Sequence, residues 1–284
     1  MASKITSSPA KSSPARISCA NLARLIGTPN APVVIDVRTD EDFDADPEVI
    51  PTAIRHSFKT ITDLAAELEN QHAVVYCQKG LKISDGAAAM LASCSVHCEY
   101  LEGGHFGWRD AGLPLVPAEK IPARGERQHT LWVTRVRPKI DRIVCPWLIR
   151  RYVDRDAQFI FVAAANVIPV AERFDATPFD VEDVFWSHRG DHCTFDTMIE
   201  EFNLATDPLN RLAQIVRGAD TDRLDLSPQC AGLLAASLGL SRMYSDDYEQ
   251  LEAGIALYDA FYRWCRDAVS ESHQWPGPAA KAGS

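Results

Sequence analysis

Residues 74–93 read VVYCQKGLKISDGAAAMLAS, and this stretch decides the fold predicted for the surrounding chain. Its first three residues are typical of a buried strand, and an alanine-rich helical segment begins near Asp85. Cys77 lies between the two. The pattern therefore predicts a thiol at the carboxyl end of a strand, facing the N-terminus of a helix. In open α/β sheets, ligands bind at that edge.

The loop that begins at Cys77 contains the groups needed for thiol chemistry. The helix dipole, the N–H groups of the turn and nearby cations all favour a thiolate over a thiol. Lys79 and Lys82 supply the cations, and Gly80 lies between them. A thiolate here can attack the outer sulfur of thiosulfate or a similar donor, hold that sulfur as a persulfide, and pass it to a thiol acceptor.

The flanking segments extend the alternation of strands and helices. Residues 31–37 (APVVIDV) and 98–104 (CEYLEGG) have strand character, whereas residues 60–69 (TITDLAAELE) have helical spacing. Strands that alternate with helices indicate a parallel sheet with helices on both faces. We therefore predict an α/β domain over residues 16–118. Residues 1–15, which are rich in Ser, Ala, Lys and Pro, are predicted to be disordered.

Four segments of this domain resemble the successive signatures of the rhodanese family. They are DVRTDEDFDAD at residues 36–46, IPTAIR at residues 50–55, the Cys77 loop, and LEGGHFGWRDAGLPL at residues 101–115. The resemblance implies a rhodanese-like fold and a sulfurtransferase that carries sulfur on Cys77 without a cofactor. It also implies that Asp36 and Arg38 support the catalytic loop rather than take part in the reaction.

The length of the loop distinguishes two chemistries of this fold. Rhodanese-like phosphatases have a loop one residue longer, with an arginine six positions after the cysteine. Here the sixth residue after Cys77 is Ile83, and the fifth, Lys82, occupies the usual sulfurtransferase arginine position. The loop therefore favours sulfur chemistry. Because lysine cannot make the planar bidentate contact of arginine, an inactive rhodanese domain that serves only as a binding module is an alternative.

A second unit follows the α/β domain. Residues 119–128 combine proline with charge and predict a linker. Residues 129–272 contain two strand-like segments followed by mostly helical spacing, which indicates an α+β domain that is mainly helical. Residues 273–284 are predicted to be a disordered tail.

Three segments of the second unit resemble the C-terminal domain of the ChrB-type chromate-resistance family. They are residues 129–162 (HTLWVTRVRPKIDRIVCPWLIRRYVDRDAQFIFV), residues 185–202 (FWSHRGDHCTFDTMIEEF) and residues 215–244 (IVRGADTDRLDLSPQCAGLLAASLGLSRMY). The whole chain thus resembles fusion proteins that join a sulfurtransferase to a chromate-resistance domain.

A basic segment stands out within this acidic chain. Residues 133–156 contain seven Lys or Arg against three Asp, a local charge of +4. Among them, Lys139, Arg142, Arg150 and Arg151 are candidates to bind an oxyanion such as chromate or sulfate through charge-assisted hydrogen bonds. The alternative is a solvated helix face, because apolar residues in the same segment form an opposite stripe.

A second cluster contains residue types that bind metals. His188, Cys193, Asp196 and Glu200 are close in sequence, and Asp220 is a candidate to join them from another helix. If Thr194 caps a helix, Asp196 and Glu200 lie on one face, and the set would suit zinc or iron. The alternative is ordinary helix capping and salt bridging, which the helix dipole favours for Asp196 in any case.

Composition narrows the remaining function classes. A formal net charge of −10 and a pI near 5.3 argue against a nucleic-acid binder. No apolar run reaches the roughly 18 residues needed to cross a bilayer, and the N-terminus lacks the apolar core of a secretory signal. We therefore expect a cytoplasmic protein without a membrane partner. The rival class is a regulatory protein whose second domain senses an oxyanion and controls a partner or DNA.

Overall fold

A computed structural model of the protein describes residues 14–125 and 128–271. The β-strands in these residues are β1 (Ala15–Ile17), β2 (Val33–Asp36), β3 (Glu48–Val49), β4 (Ile54–Arg55), β5 (His72–Tyr76), β6 (His97–Leu101), β7 (Val116–Pro117), β8 (Leu131–Arg135), β9 (Gln158–Val162) and β10 (Thr177–Pro178). The α-helices are α1 (Cys19–Leu25), α2 (Asp40–Asp44), α3 (Lys82–Ser93), α4 (Gly104–Asp110), α5 (Asp141–Leu148), α6 (Val167–Phe174), α7 (Thr194–Glu201), α8 (Asp207–Asp220), α9 (Cys230–Met243) and α10 (Asp247–Arg263).

The N-terminal part forms a five-stranded sheet in the order β1-β6-β5-β2-β4, and every pair in it is parallel. The register places Asp36 of β2 opposite Tyr76 of β5 and Arg55 of β4. The carboxyl ends of these three strands therefore meet at one edge, where Cys77 follows Tyr76. This arrangement confirms the predicted rhodanese-like α/β fold.

Side chains of the central strands alternate between the two faces of the sheet and pack into two different hydrophobic cores. Val33, Ile35 and Val75 pack on one face with buried residues of α3 and of the 3₁₀ helix Phe58–Leu64. Val34 and Val74 point to the other face, which α1, α4 and the second domain cover. Successive side chains of a strand point to opposite faces, so both faces of this sheet are buried.

The helix predicted for residues 60–69 (TITDLAAELE) is only partly present. The structure has the 3₁₀ helix Phe58–Leu64 there, with a non-helical backbone at Thr60. The β-branched side chains of Thr60, Ile61 and Thr62 lose rotamer freedom in an α-helix, and 3₁₀ helices are short. The sequence pattern therefore located a helical turn correctly but overestimated its length and regularity.

The second domain is mainly helical and contains a small sheet in the order β10-β8-β9, again with parallel pairs. Val167 and Ala171 of α6 cover one face of this sheet, where Leu131 and Val133 point. Trp132, on the opposite face of β8, belongs to the large core with the remaining helices. The predicted α+β architecture is confirmed. None of the helices in the described ranges is long and apolar enough to cross a membrane.

The two halves of the chain share one hydrophobic core. Leu22 and Trp108 of the first half belong to the same buried cluster as Trp147 and Tyr152 of the second. The amide of Thr52 donates a hydrogen bond to the carbonyl of Tyr152 at 3.0 Å. The two units therefore contact each other through apolar packing as well as through the chain that connects them.

The predicted boundaries at residues 16, 118, 128 and 272 stay predictions. Residues 1–13 of the proposed disordered N-terminus lie outside the described residues, but Ala15 already belongs to β1. Most of the proposed linker is described: Lys120 forms an ion pair with Glu201 at 2.7 Å. The proposed tail, residues 273–284, lies outside the described residues.

We expect limited proteolysis to cut within residues 121–124, where the chain has no helix or strand and Ala123 is exposed. Because the halves share a core, the two fragments should remain associated and co-elute in gel filtration under native conditions. Gel electrophoresis of the eluted peak would show both fragments. If the fragments eluted separately, the shared core would not be sufficient to hold them together.

Candidate functional site

The structure places Cys77 directly after β5, at the start of a loop that ends at the N-terminus of α3. The residue is buried, with 4% exposure, and its Sγ lies 3.3 Å from the Oγ of Ser84. The Ser84 hydroxyl donates to the carbonyl of Leu81 at 3.1 Å. Sequence reasoning missed Ser84, although its position in the first turn of the predicted helix was a usable signal.

The N-terminus of α3 has no side-chain cap among the described residues. The helix begins at Lys82 after Leu81. The first N–H groups of a helix lack intrahelical acceptors, and together with the helix dipole they attract anions. The thiol is therefore followed by a set of donors that suits a negatively charged sulfur.

The loop packs tightly against the segment after β6. The amides of His105 and Phe106 donate to the carbonyls of Cys77 and Gln78, each at 3.0 Å. Gly80 has φ +63°, and a Cβ there would lie only 2.5 Å from the carbonyl oxygen of Leu101. This position requires glycine because of both its backbone conformation and the lack of space. Gly80 thus shapes the loop that Cys77 opens.

The two predicted cations of the loop are on the surface. Lys79 and Lys82 are exposed, and neither forms an ion pair with any residue that the structure describes. Their charges are therefore available to an anionic ligand that approaches the loop from solvent.

Asp36 and Arg38 form the structural pair that the rhodanese resemblance implied. Both side chains are fully buried, and an Arg38 Nη2 donates to an Asp36 carboxylate oxygen at 2.7 Å. The same guanidinium donates to the carbonyls of Asp46 at 2.9 Å and Glu48 at 2.7 Å. Burial alone would lower the pKa of Arg38, but its hydrogen bonds to Asp36 raise it above the ordinary value. Arg38 thus ties the end of β2 to the chain that leads into β3.

A cavity of about 490 Å³ opens at the same edge of the sheet as the Cys77 loop. Arg38, Arg55, His56 and Lys59 are among the residues that line it. The neighbouring strand ends are joined by backbone hydrogen bonds, including one from the amide of His56 to the carbonyl of Asp36 at 3.0 Å. Asp40 also lines the cavity and pairs with Arg55 at 2.7 Å, and Arg38 pairs with Asp36, so Lys59 is the lining cation left for an anion among the described contacts.

Only two of the four predicted oxyanion-binding residues share a pocket. Lys139 and Arg142 line a pocket of about 430 Å³ together with Arg135, which was not among the predicted residues. Arg150 instead pairs with Glu252 of α10, and Arg151 forms two hydrogen bonds of 2.8 Å to Asp259 of the same helix. Both residues lie in the π-helical turn Ile149–Val153 that follows α5, where carboxylates of α10 pair with them.

Only some of the predicted metal ligands lie close together in the structure. The structure brings His188 and Asp220 together, but Glu200 is exposed and stands apart from them. Asp196 accepts a hydrogen bond from the amide of Cys193, the N-cap of α7, and pairs with Arg217 through Nε at 3.1 Å and Nη2 at 3.0 Å. For Asp196, the alternative interpretation of capping and salt bridging was therefore correct.

Two of the three acidic partners of His188, Asp141 and Asp180, were not assigned to the site from the sequence. Its Nε2 lies 3.3 Å from carboxylate oxygens of Asp141 and Asp180, and 3.7 Å from Asp220. Asp141 also accepts from the amide of Thr194 at 2.6 Å. Asp141 was counted in the basic segment but not as a ligand, because nothing in the local pattern connects it to His188.

The backbone before Asp141 is strained. Ile140 has φ +38°, an unfavourable value for a β-branched residue. The hydroxyl of Tyr258 donates to the Ile140 carbonyl at 3.2 Å, and the amide of the Gln250 side chain donates to the carbonyl of Pro138 at 2.5 Å. Helix α10 thus holds the loop that directs Asp141 into the cluster.

The electrostatics of the cluster show crowding of like charges. Hydrogen bonds to Asp141 and Asp180 raise the pKa of His188 to about 10, although burial opposes the shift. Burial, followed by repulsion from Asp141 and Asp180, raises the pKa of Asp220 to about 7. Burial raises the pKa of the Cys193 thiol well above its ordinary value, and nearby carboxylates add to this effect. A thiolate at Cys193 is therefore disfavoured.

Comparison with known proteins gives a match to each half of the chain. Residues 18–111 match the rhodanese-like domain, and residues 132–265 match the family described as ChrB, C-terminal domain. Protein ChrB of Cupriavidus metallidurans is 32% identical over 155 residues, which is 53% of this chain and 46% of that protein. The chain thus spans less than half the length of this curated relative.

Solved structures also have similarity to part of the chain. A protein of unknown function from Rhodopseudomonas palustris, described as a possible tyrosine phosphatase, is 24% identical and covers 40% of this chain and 98% of its own, with a TM-score of 0.32. A rhodanese-related protein from Thermoplasma volcanium is 24% identical, covers 36% and 97%, and has a TM-score of 0.32. A Bacillus halodurans protein is 26% identical, covers 37% and 77%, and has a TM-score of 0.33.

Proposed function

We propose that this chain, in which an N-terminal rhodanese-like domain is joined to a C-terminal domain of the ChrB type, is a sulfurtransferase with Cys77 as its nucleophile. One observation carries the proposal: Cys77 lies at the carboxyl end of β5 and opens the loop that leads to the uncapped N-terminus of α3. The N–H groups at a helix N-terminus attract anions, and each half of a sulfur transfer has a negatively charged sulfur as its attacking or leaving group.

The reaction consists of two nucleophilic displacements at sulfur. In the first, the Cys77 thiolate attacks the outer sulfur of thiosulfate; a new sulfur–sulfur bond forms, the bond within thiosulfate breaks, and sulfite leaves with the electron pair. In the second, an acceptor thiolate attacks the outer sulfur of the Cys77 persulfide. This step transfers the sulfur to the acceptor and restores the Cys77 thiolate.

The charges around the loop support a small anionic donor. Lys79 and Lys82 are exposed beside the loop, and Arg55 and Lys59 line the cavity at the same edge of the sheet. An oxyanion such as thiosulfate would gain charge-assisted hydrogen bonds from these groups. Because Cys77 itself is almost fully buried, a compact donor reaches its sulfur more readily than a bulky one.

The proposal predicts a covalent sulfur adduct on Cys77. Full-length protein, reduced and then incubated with thiosulfate and desalted, should gain the mass of one sulfur atom per chain. Peptide mapping should locate the adduct on Cys77, and dithiothreitol should remove it. Cys94 provides an internal control, because it is an exposed thiol in the same domain. No adduct, or an adduct on Cys94 alone, would contradict the assignment of Cys77.

A further inference from the structure

We propose that Asp141, His188 and Asp220 form a binding site for one divalent first-row transition-metal ion in the second domain. The site is separate from the Cys77 loop and does not depend on the sulfur-transfer proposal. It also replaces the ligand set expected from sequence, of which only His188 and Asp220 remain.

The three side chains converge from distant parts of the chain. Asp141 is the first residue of α5, His188 lies in the loop between β10 and α7, and Asp220 is the last residue of α8. One ligand atom from each, the imidazole nitrogen and two carboxylate oxygens, lies within 4.8 Å of the other two. An ion between them would be contacted from three separate elements, as is usual for a metal site with an open side.

An unpartnered oxygen of Asp141 is the independent observation that points to a ligand. The residue is only 1% exposed. Its Oδ2 accepts the hydrogen bond from Thr194, whereas its buried Oδ1 has no hydrogen-bond partner among the residues that the structure describes. Leaving a buried carboxylate oxygen unpaired is costly, and such an atom calls for an explanation. A cation bound at Oδ1 provides one.

Asp180 has a supporting position rather than that of a ligand. Its carboxylate accepts from the hydroxyl of Thr194 at 2.9 Å and pairs with the Nε of Arg142 at 3.3 Å and an Nη of Arg135 at 3.4 Å. These donors occupy Asp180 and neutralise part of its charge. Its Oδ1 also lies 3.3 Å from the Nε2 of His188, the nitrogen that faces Asp141 and Asp220, so this contact directs the imidazole toward the cluster.

The donor types indicate which metal would bind. Two carboxylates and one imidazole suit Mn²⁺, Fe²⁺ or Zn²⁺, and Cys193 offers no thiolate because its thiol is buried and bonded to Asp196. Two carboxylates would balance the charge of a divalent cation, and a cation between them would relieve their mutual repulsion. His188 and Asp220 also line the pocket of about 430 Å³, through which an ion could reach the cluster from solvent.

The test uses the full-length chain, expressed without an affinity tag and stripped of metal with EDTA. Mn²⁺ binding is followed by electron paramagnetic resonance, and Zn²⁺ content is measured by elemental analysis after gel filtration. We expect one ion per chain in the unmodified protein. His188→Ala and Asp220→Asn should each weaken binding at least about tenfold, since even changes to groups around a metal site have effects of this size.

Two further variants serve as matched controls. His192→Ala and Glu200→Gln remove an exposed imidazole and an exposed carboxylate, neither of which belongs to the three-residue cluster, and should bind metal like the unmodified protein. Circular dichroism checks that all four variants are folded. The proposal is overturned if the unmodified protein binds neither metal, if folded His188→Ala and Asp220→Asn proteins bind as it does, or if the controls lose binding to the same extent.

Discussion

Replacing Cys77 with serine is expected to lower thiosulfate-dependent sulfur transfer by at least about 1,000-fold, because the change removes the only proposed carrier of the transferred sulfur. A hydroxyl is a far weaker nucleophile than a thiol at neutral pH and cannot form a persulfide. Serine nevertheless retains a small polar group beside Ser84 in the buried loop. The fold should therefore survive, with a thermal midpoint close to that of the unmodified protein.

The matched control for this experiment is Cys94→Ser. Cys94 is an exposed thiol at the end of α3, in the same domain as Cys77 but at the opposite end of the helix. Initial rates of sulfite release from thiosulfate, with a thiol as acceptor, should be unchanged in this variant. If Cys77→Ser retained substantial activity, or if Cys94→Ser lost as much, Cys77 would not be the nucleophile.

Replacing Asp36 with alanine is expected to lower the free energy of unfolding by about 3–5 kcal/mol, since the guanidinium of Arg38 would be left buried without its carboxylate. The hydrogen bonds from Arg38 to the carbonyls of Asp46 and Glu48 would remain. They satisfy donors but do not neutralise the charge. Urea denaturation followed by tryptophan fluorescence measures the change, and Trp108 lies in the affected domain.

Asp40→Ala is the corresponding control at the surface. Asp40 pairs with Arg55 at 2.7 Å, but its side chain is 94% exposed. Exposed ion pairs contribute little because water and salt screen them, so the loss should stay below about 1 kcal/mol. Equal destabilisation by the two variants would show that burial of the Asp36–Arg38 pair is not what makes it important.

The sequence alone was sufficient to predict the fold of the first domain and the position of Cys77 between a strand and a helix. Residues 74–93 predicted a strand, a loop that begins at Cys77 and a helix that begins near Asp85. The structure has the three in this order, but α3 begins earlier than predicted, at Lys82. Side-chain period and loop length are local properties, which depend on neighbouring residues rather than on the rest of the chain. The supporting pair Asp36 and Arg38 came from the family resemblance.

Only the tertiary structure decided which side chains meet in the second domain. Asp196 was predicted to be a metal ligand from its position in the sequence. Its carboxylate instead accepts hydrogen bonds from the amide of Cys193, at the N-terminus of its own helix, and from Arg217. Asp141 stands in a basic segment, yet it meets His188 and Asp220 across three elements. Local spacing determines the helix face on which a residue lies. Which residues that face contacts depends on how the helices pack against segments far away in the sequence. Neither periodicity nor composition predicts this packing.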